Sequence, residues 1–294
     1  MVFAIVSALL LGSNKLAVRM SLFSMDESFA SLIAILLAIP LFGFPLLVYG
    51  WGARGPTLDV VIILGLAGIL NFSLGRYFIW KSIANIGANR GNIFASSQVV
   101  YAVLIAILFL NQTVNLNSGV GIVLVMLGIL LVSIRGLSGT PFTQKQLKLG
   151  IASGIFGGFL WGISQVLMQI GISEYANPLG AAFITYLASV AGVIPVILVA
   201  NRYSAVRESK SVFRFDWRGF AFVLVAALFG NFGLFFRYAA LQTIPLTIVA
   251  TVNGTNPMIT LILSYFLIKD VEFIDGRTIL GIASSVLGIT IMSI

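Results

Sequence analysis

The sequence contains no cysteine and no histidine, and it has few charged residues. Without cysteine there are no disulfides and no thiolate nucleophiles, and without either residue the usual zinc ligands are missing. Charged residues make up 9% of the chain and hydrophobic residues 59%, whereas soluble domains carry about 25% charged residues. We therefore predict an all-α polytopic membrane protein that is not an enzyme and that needs no metal and no other cofactor.

Acidic residues are also scarce, and none is predicted to lie in the middle of the membrane. The nine carboxylates fall in predicted loops or at predicted helix ends, at Asp26, Glu27, Asp59, Glu174, Glu208, Asp216, Asp270, Glu272 and Asp275. Transporters that are coupled to protons usually keep an acid or a histidine within the membrane. The sequence thus disfavours an antiporter that exchanges cations for protons on a buried carboxylate.

Long apolar runs fill most of the chain. A membrane-spanning helix needs about 20 apolar residues, and ten runs of that size lie near 3–22, 29–49, 58–82, 91–110, 117–135, 148–172, 178–200, 218–242, 246–268 and 276–294. The net charge of +8 comes largely from short loops, which indicates orientation signals and contacts to lipid headgroups and not a nucleic-acid site. We expect a multi-pass protein of the cell (plasma) membrane whose partners are the lipid bilayer and a small-molecule substrate. Its oligomeric state is left open, and a monomer is compatible with the sequence.

The two halves of the chain resemble each other. The segment "LNFSLGRYFIW" (Leu70–Trp80) matches "GNFGLFFRYAA" (Gly230–Ala240), and Leu11–Met20 aligns more weakly with Trp161–Ile170. Because each half holds five predicted spans, an odd number, the second copy must enter the membrane upside down, as in many secondary transporters. We predict one membrane domain of two inverted five-helix repeats, 1–140 and 141–294.

On these features the chain resembles the drug/metabolite transporter superfamily, in particular its ten-helix EamA-like members. The resemblance lies in the two five-helix halves, in their "LGSN" and "WG" openings and in the Gly-x6-Gly pattern of each last helix. It implies a central cavity lined by helices 1, 3, 4, 6, 8 and 9, with helices 5 and 10 packed together away from it. The acid that the family commonly has after the fourth helix of a half is present as Asp270 and Glu272 but replaced by Asn111 and Gln112 in the first half.

The charges inside the predicted spans are basic. Lys15 and Arg19 lie one turn apart in the first span, and the matching positions of the sixth span carry Gln165 and Gln169. Such a stripe would bind a carboxylate or a phosphate at the contact between the halves. The alternative is that both cationic side chains extend to the lipid headgroups.

The repeated Arg-Tyr pairs have two interpretations as well. Arg76 and Tyr77 lie near the end of the third span, where they would either line a cavity or anchor the helix at the membrane interface. In the eighth span, a rotation of about 100° per residue puts Asn231 and Tyr238 on one face and turns Arg237 away from it. We therefore predict Asn231 and Tyr238, and not Arg237, as site residues.

The clearest polar face is in the ninth span. Asn253, Asn256, Thr260 and Ser264 lie within about 80° of one another around the helix, and Pro257 predicts a kink or a loosened turn. Such a face either lines a cavity or joins neighbouring helices through hydrogen bonds. The predicted substrate-binding residues are Lys15, Arg76, Tyr77, Asn92, Ser96, Tyr101, Gln165, Gln169, Asn231, Tyr238, Asn253 and Asn256.

These features predict a secondary transporter that exports or exchanges a small organic metabolite through a central cavity by alternating access. Basic residues without a buried acid favour an amino acid or another zwitterionic or anionic substrate. The alternative is a lipid or amphiphile translocase, or an accessory membrane subunit that does not transport alone, because 23 phenylalanines and a basic rim suit a lipid. Orientation is also left open, since the positive-inside rule places both termini outside and the resemblance suggests that both lie inside.

Overall fold

The structure is a computed structural model that describes residues 1–21, 27–52, 55–86, 94–133, 143–204, 217–267 and 276–293. These residues form ten helical elements in the predicted order. They are α1 (Val2–Ser21), α2 (Glu27–Tyr49), α3 (Leu58–Gly68, a π-helical segment Ile69–Gly75, and Arg76–Ile86), α4 (Gln98–Phe109), α5 (Leu116–Ser133), α6 (Gln144–Tyr175), α7 (Pro178–Ser204), α8 (Trp217–Leu241), α9 (Leu246–Asn253 and Asn256–Leu267) and α10 (Gly276–Ser293).

The helices have the length and the surface of membrane spans. Five stretches of the described residues are long and apolar enough to cross a bilayer: Leu32–Tyr49, Leu58–Ile79, Gln144–Tyr175, Pro178–Pro195 and Trp217–Leu241. Large apolar side chains point outward, among them Leu47, which is 85% exposed, and Leu116, which is 83% exposed. In water such a surface would aggregate, whereas in lipid it is solvated. The prediction of an all-α multi-pass membrane protein is confirmed.

Helices α5 and α10 pack closely along glycine contacts, as the family resemblance implied. A Cβ atom on Gly121 would lie 2.4 Å from Cγ of Met292, and one on Gly128 would lie 2.1 Å from Oγ of Ser285. The Ser284 hydroxyl also donates to the Leu124 carbonyl at 2.8 Å. Small residues permit this approach of two backbones, which is how helices associate in a membrane.

The first helix of each half packs against the other half. In α6, Gly162 lies under α4, where its Cβ would meet Cβ of Tyr101 at 2.7 Å and the Gln98 carbonyl at 3.3 Å. In α1, the matching Gly12 lies under α9, where its Cβ would meet Ile259 at 2.6 Å and the Asn256 carbonyl at 3.2 Å. The same contact is thus made twice, once in each direction between the halves.

Candidate substrate cavity between two broken helices

Helices α4 and α9 are interrupted at matching places. In α9 a turn at Gly254 and Thr255 separates the two helical segments, and in α4 a turn at Ser96 and Ser97 follows the helical residues 94–95. The Ser97 hydroxyl donates to the Phe94 carbonyl at 2.6 Å. In the same way, the Thr255 hydroxyl donates to the carbonyl three residues before it at 2.7 Å.

The residues at these turns explain why the helices break there. Serine and threonine hydroxyls compete for backbone carbonyls, and glycine lowers the stability of the helix interior. Pro257 is the second residue of the segment that starts at Asn256, in the first turn, where a missing N–H group does least harm. Non-helical backbone at membrane depth is tolerated where it is buried in protein or lines a cavity. The interruption that Pro257 predicted is therefore present, and it has a counterpart in α4.

A cavity lies beside the two breaks. Its volume is about 370 Å³ when the space open to the outside is included, and its lining residues are Lys15, Ala95, Ser96, Gln98, Val99, Trp161, Asn253 and Gly254. They come from α1, α6 and the two broken helices, four of the six helices that the resemblance implied. Lys15 therefore lines a cavity, which favours the first of its two interpretations.

Hydrogen bonds hold the polar wall of the cavity in place. The Asn253 amide oxygen accepts from the Ser7 hydroxyl at 3.0 Å, and its Nδ2 donates to the Val249 carbonyl at 2.9 Å. Trp161 Nε1 donates to the Asn71 carbonyl of the π-helical segment at 2.8 Å. Since these groups already have partners, the cavity presents a fixed wall to a ligand.

Gln165 lies next to the cavity and is buried. Its Nε2 lies 3.4 Å from Oε1 of Gln98 and 3.5 Å from the Trp161 carbonyl. Both distances are at the long end of the range for a hydrogen bond. The amide can therefore turn toward a ligand at small cost.

Two arginines from different halves act on one tyrosine behind this wall. The Arg76 guanidinium lies 5.3 Å from the centre of the Phe72 ring, and the Phe72 ring stacks on Tyr186 at 4.7 Å. The charges of Arg76 and Arg237 both reach the Tyr186 hydroxyl, and that of Arg237 also acts on the Lys15 ammonium. Arg237 therefore lies near both Tyr186 and Lys15.

In the eighth helix, both predicted site residues make hydrogen bonds to neighbouring helices. Tyr238 is fully buried and donates its hydroxyl proton to Thr185, whose own proton goes to the Ala181 carbonyl at 2.7 Å. Asn231 is buried and donates to the Ala34 carbonyl at 3.3 Å. Both side chains therefore join helices, whereas Arg237 of the same helix interacts electrostatically with Lys15. A wheel drawn for one helix does not show which face its neighbours cover.

Other predicted site residues lie outside the cavity lining. Tyr77 packs against Phe78, Tyr101 packs against Phe159, and Gln169 donates to the Leu241 carbonyl at 3.1 Å. The Asn256 side chain is buried beyond the break in α9. Asn92 and the side chain of Arg19 lie outside the described residues.

The structure thus brings Lys15, Ser96 and Asn253 together, with Gln165 beside them. Gln98, Trp161 and Gly254 also line the cavity but are absent from the predicted set. One signal for them was available, because Gln98 and Gly254 flank the turn-forming residues Ser97 and Thr255. Such residues within an apolar run mark the places where a membrane helix opens.

The fold and the cavity define a multi-pass α-helical membrane protein with a polar site between two broken helices. Residues 1–134 and again residues 148–294 match the EamA-like transporter family. The chain belongs to this family of transporters, and the predicted resemblance is confirmed. The boundary predicted between residues 140 and 141 falls between the two matched stretches and stays a prediction.

Solved structures agree on the fold. A crystal structure of a protein that is 13% identical superposes with a TM-score of 0.73, over 99% of this chain and 96% of the other. At this identity the likeness shows the fold alone. No match was found among the curated proteins.

Proposed function

We propose that the protein is a secondary transporter that moves a small organic metabolite through the cavity beside the breaks in α4 and α9. The observation that carries the proposal is the pair of matching interruptions, one in each half, with a polar cavity between them. In many secondary transporters the substrate binds where discontinuous helices of two repeats meet, and the repeats rock about that site. In this proposal the substrate is exported or exchanged by alternating access.

The charge of the cavity supports a zwitterionic or anionic substrate, such as an amino acid. Lys15 contributes a cation to the lining, and no acidic residue is among the lining residues. A cation would meet repulsion without an acid to offset it, whereas a carboxylate would gain a charge-assisted hydrogen bond. Ser96, Gln98 and Asn253 would contact the polar remainder of the substrate.

Uptake into proteoliposomes tests the proposal. Vesicles that contain the purified protein and are loaded with a mixture of amino acids and organic acids are assayed for exchange with labelled external compounds. We expect exchange of at least one compound, and a fall of about tenfold or more in Lys15→Gln, the scale of a lost charge-assisted contact. Lys145→Gln, which removes an exposed charge at the start of α6, is the matched control and should keep full activity.

The same vesicles separate the proposal from its alternative. If labelled phospholipid crosses the bilayer faster with the protein than without it, and no soluble compound is exchanged, the protein is a lipid translocase and the proposal is wrong. If the wild type and Lys15→Gln exchange the compound equally fast, Lys15 does not contribute to binding, and the proposal of a cationic group in the site is wrong.

A further inference from the structure

We infer that Lys15 and Arg237 together form a subsite that binds the anionic group of the substrate. The inference rests on the proposed function and names the chemistry of its site. The two residues lie on α1 and α8, which come from different halves and are joined by hydrogen bonds, close enough for the two charges to repel each other. Two like charges held near each other in a membrane protein are costly unless an opposite charge binds to them.

Packing between α1 and α8 keeps the two cations in place. The Ser7 hydroxyl of α1 donates to the Gly233 carbonyl of α8 at 2.8 Å, and Asn14 donates to the Ala226 carbonyl at 2.6 Å. The glycine at position 230 lets the Asn14 side chain approach, because a Cβ there would be 2.8 Å from its Nδ2. The separation of Lys15 and Arg237 is therefore set by a tight helix pair and does not depend on loops.

Arg237 has an unused donor. Its Nε atom is buried and has no hydrogen-bond partner, and a guanidinium presents five donors in a planar fork. A buried N–H group without an acceptor is costly, so such a group usually has a partner. A ligand oxygen would supply the missing acceptor.

The chain offers no acid near this pair within the described residues. The carboxylates among the described residues are Glu27 in the first turn of α2, Asp59 in the first turn of α3 and Glu174 in the last turn of α6. Asp59 and Glu174 are exposed. Within the part of the chain that the structure describes, a bound anion would therefore supply the compensating charge for Lys15 and Arg237.

The donor set indicates the class of anion. A guanidinium binds carboxylate, phosphate or sulfate through two parallel hydrogen bonds, and an ammonium adds a point charge. Lys15 lines the cavity, so the anionic group would sit at its end nearest Arg237, with the rest of the ligand toward Ser96 and Asn253. A neutral amide of the same shape would lose both charge-assisted contacts.

Thermal unfolding in a neutral maltoside detergent tests the subsite. The purified protein is titrated with sodium sulfate and with sodium benzoate, at ionic strength held constant with sodium chloride, and benzamide is the neutral comparison. A ligand that binds the folded state raises the melting temperature in a saturable way. We expect saturation with at least one of the two anions and no effect of benzamide.

The variants Lys15→Gln and Arg237→Gln should each raise the concentration needed for half of that shift by about tenfold or more. Arg237→Lys should keep part of the effect, because it retains the charge, and the control Lys145→Gln should keep all of it. Size-exclusion profiles identify a variant that is not folded. If one of the three variants at Lys15 and Arg237 is not folded, the anion titrations of the other two test the inference. A wild type that responds to neither anion, or anion titrations unchanged in both Gln variants, would overturn the inference.

Two further results separate the possible sources and the two proposals. If nanodiscs with phosphatidylglycerol stabilise the protein through Lys15 and Arg237 but sulfate and benzoate do not, the subsite binds lipid and its assignment to a soluble substrate is wrong. If the anion shift depends on both cations while vesicles exchange nothing, the subsite stands and the proposed transport fails. If the vesicles exchange a compound but no anion raises the melting temperature, the inference of an anion subsite is wrong and the proposed transport stands.

Discussion

Helices α3 and α8 are counterparts in the two halves, and they make equivalent contacts with neighbouring helices. The number of residues between those contacts, however, differs between α3 and α8. Ser164 of α6 donates to the Ala67 carbonyl of α3 at 2.8 Å, and Asn14, at the matching step of α1, donates to the Ala226 carbonyl of α8 at 2.6 Å. Further along, Ser73 donates to the Ser189 carbonyl of α7 at 3.2 Å. Its equivalent in α8 is Asn231, which donates to a carbonyl of α2 at 3.3 Å.

The spacing between these contacts shows one extra residue in α3. Six residues lead from Ala67 to Ser73, whereas five lead from Ala226 to Asn231. The extra residue falls in the π-helical segment Ile69–Gly75. A π-turn adds one residue to a helix without displacing the parts on either side, and such turns are frequent at functional sites.

This difference changes the meaning of the repeated Arg-Tyr motif. The sequence match sets Asn71 opposite Asn231, but the contacts set Ser73 there, so Arg76 and Arg237 are not equivalent positions. They nevertheless both act on Tyr186. In α3 the Asn71 carbonyl also accepts a bond from Trp161, which lines the cavity. The π-turn thus allows α3 to accept a hydrogen bond from Trp161, a residue that lines the cavity.

Deleting one residue from each helix tests the comparison most strongly. Deletion of Leu70 should convert the π-turn into regular helix and keep the protein folded, because the spacing then equals that of α8. Deletion of Phe229 should abolish folding. In a regular helix the loss of one residue rotates all the following side chains of α8 by about 100°, so they no longer face their neighbours. The measurement is the monodisperse fraction in size-exclusion chromatography, followed by the melting temperature.

The two deletions control for each other, since each removes one large apolar residue. For the Leu70 deletion we expect a loss of about 1 kcal/mol, the net value of one hydrogen bond, if the Trp161 contact to Asn71 goes with the π-turn. Equal damage by both deletions would show that the π-turn is needed for folding, which contradicts this account.

A smaller effect is expected from Gly68→Ala. The new Cβ would lie 2.1 Å from the Thr185 carbonyl oxygen, so the backbones of α3 and α7 would have to separate at a cost of about 1–3 kcal/mol. The equivalent position in α8 is Ala227, which is buried and already carries a methyl group. Ala227→Gly should cost only about 1 kcal/mol. Melting temperatures of the pair give the comparison, and a Gly68→Ala variant as stable as the wild type would contradict the packing described for α3.

The smallest effect concerns the two tyrosines of the motif. Tyr238→Phe removes the hydrogen bond to Thr185 and should lower stability by about 1 kcal/mol, with the substrate KM unchanged because the ring lies away from the cavity. Tyr77→Phe should change neither quantity, since the half-buried Tyr77 is not in the cavity lining. A KM that rises in Tyr238→Phe while the melting temperature stays constant would return Tyr238 to the site.

Much of this protein could be predicted from its sequence because the bilayer imposes strong local rules. Each apolar run of about 20 residues must form a helix to satisfy its backbone, so the number and order of helices follow from the positions of these runs along the sequence. The glycines of α5 and α10 indicated their contact for a similar reason, since small residues mark close packing. We could predict Lys15, Ser96 and Asn253 as site residues because a polar side chain within an apolar run is costly in a membrane unless it binds a partner or a ligand.

The contacts between helices could be decided only by the tertiary structure. The sequence matched two arginines, but register along a helix depends on how many residues a turn holds, and a π-turn leaves no distinct signal in an apolar run. Which face of α8 is covered depends on its neighbours, since Tyr238 hydrogen-bonds to Thr185 of α7 and Asn231 to the Ala34 carbonyl of α2. The apolar runs of the sequence determined that the chain crosses the membrane, because the bilayer requires them to form helices, whereas the packing of those helices decided which side chains meet.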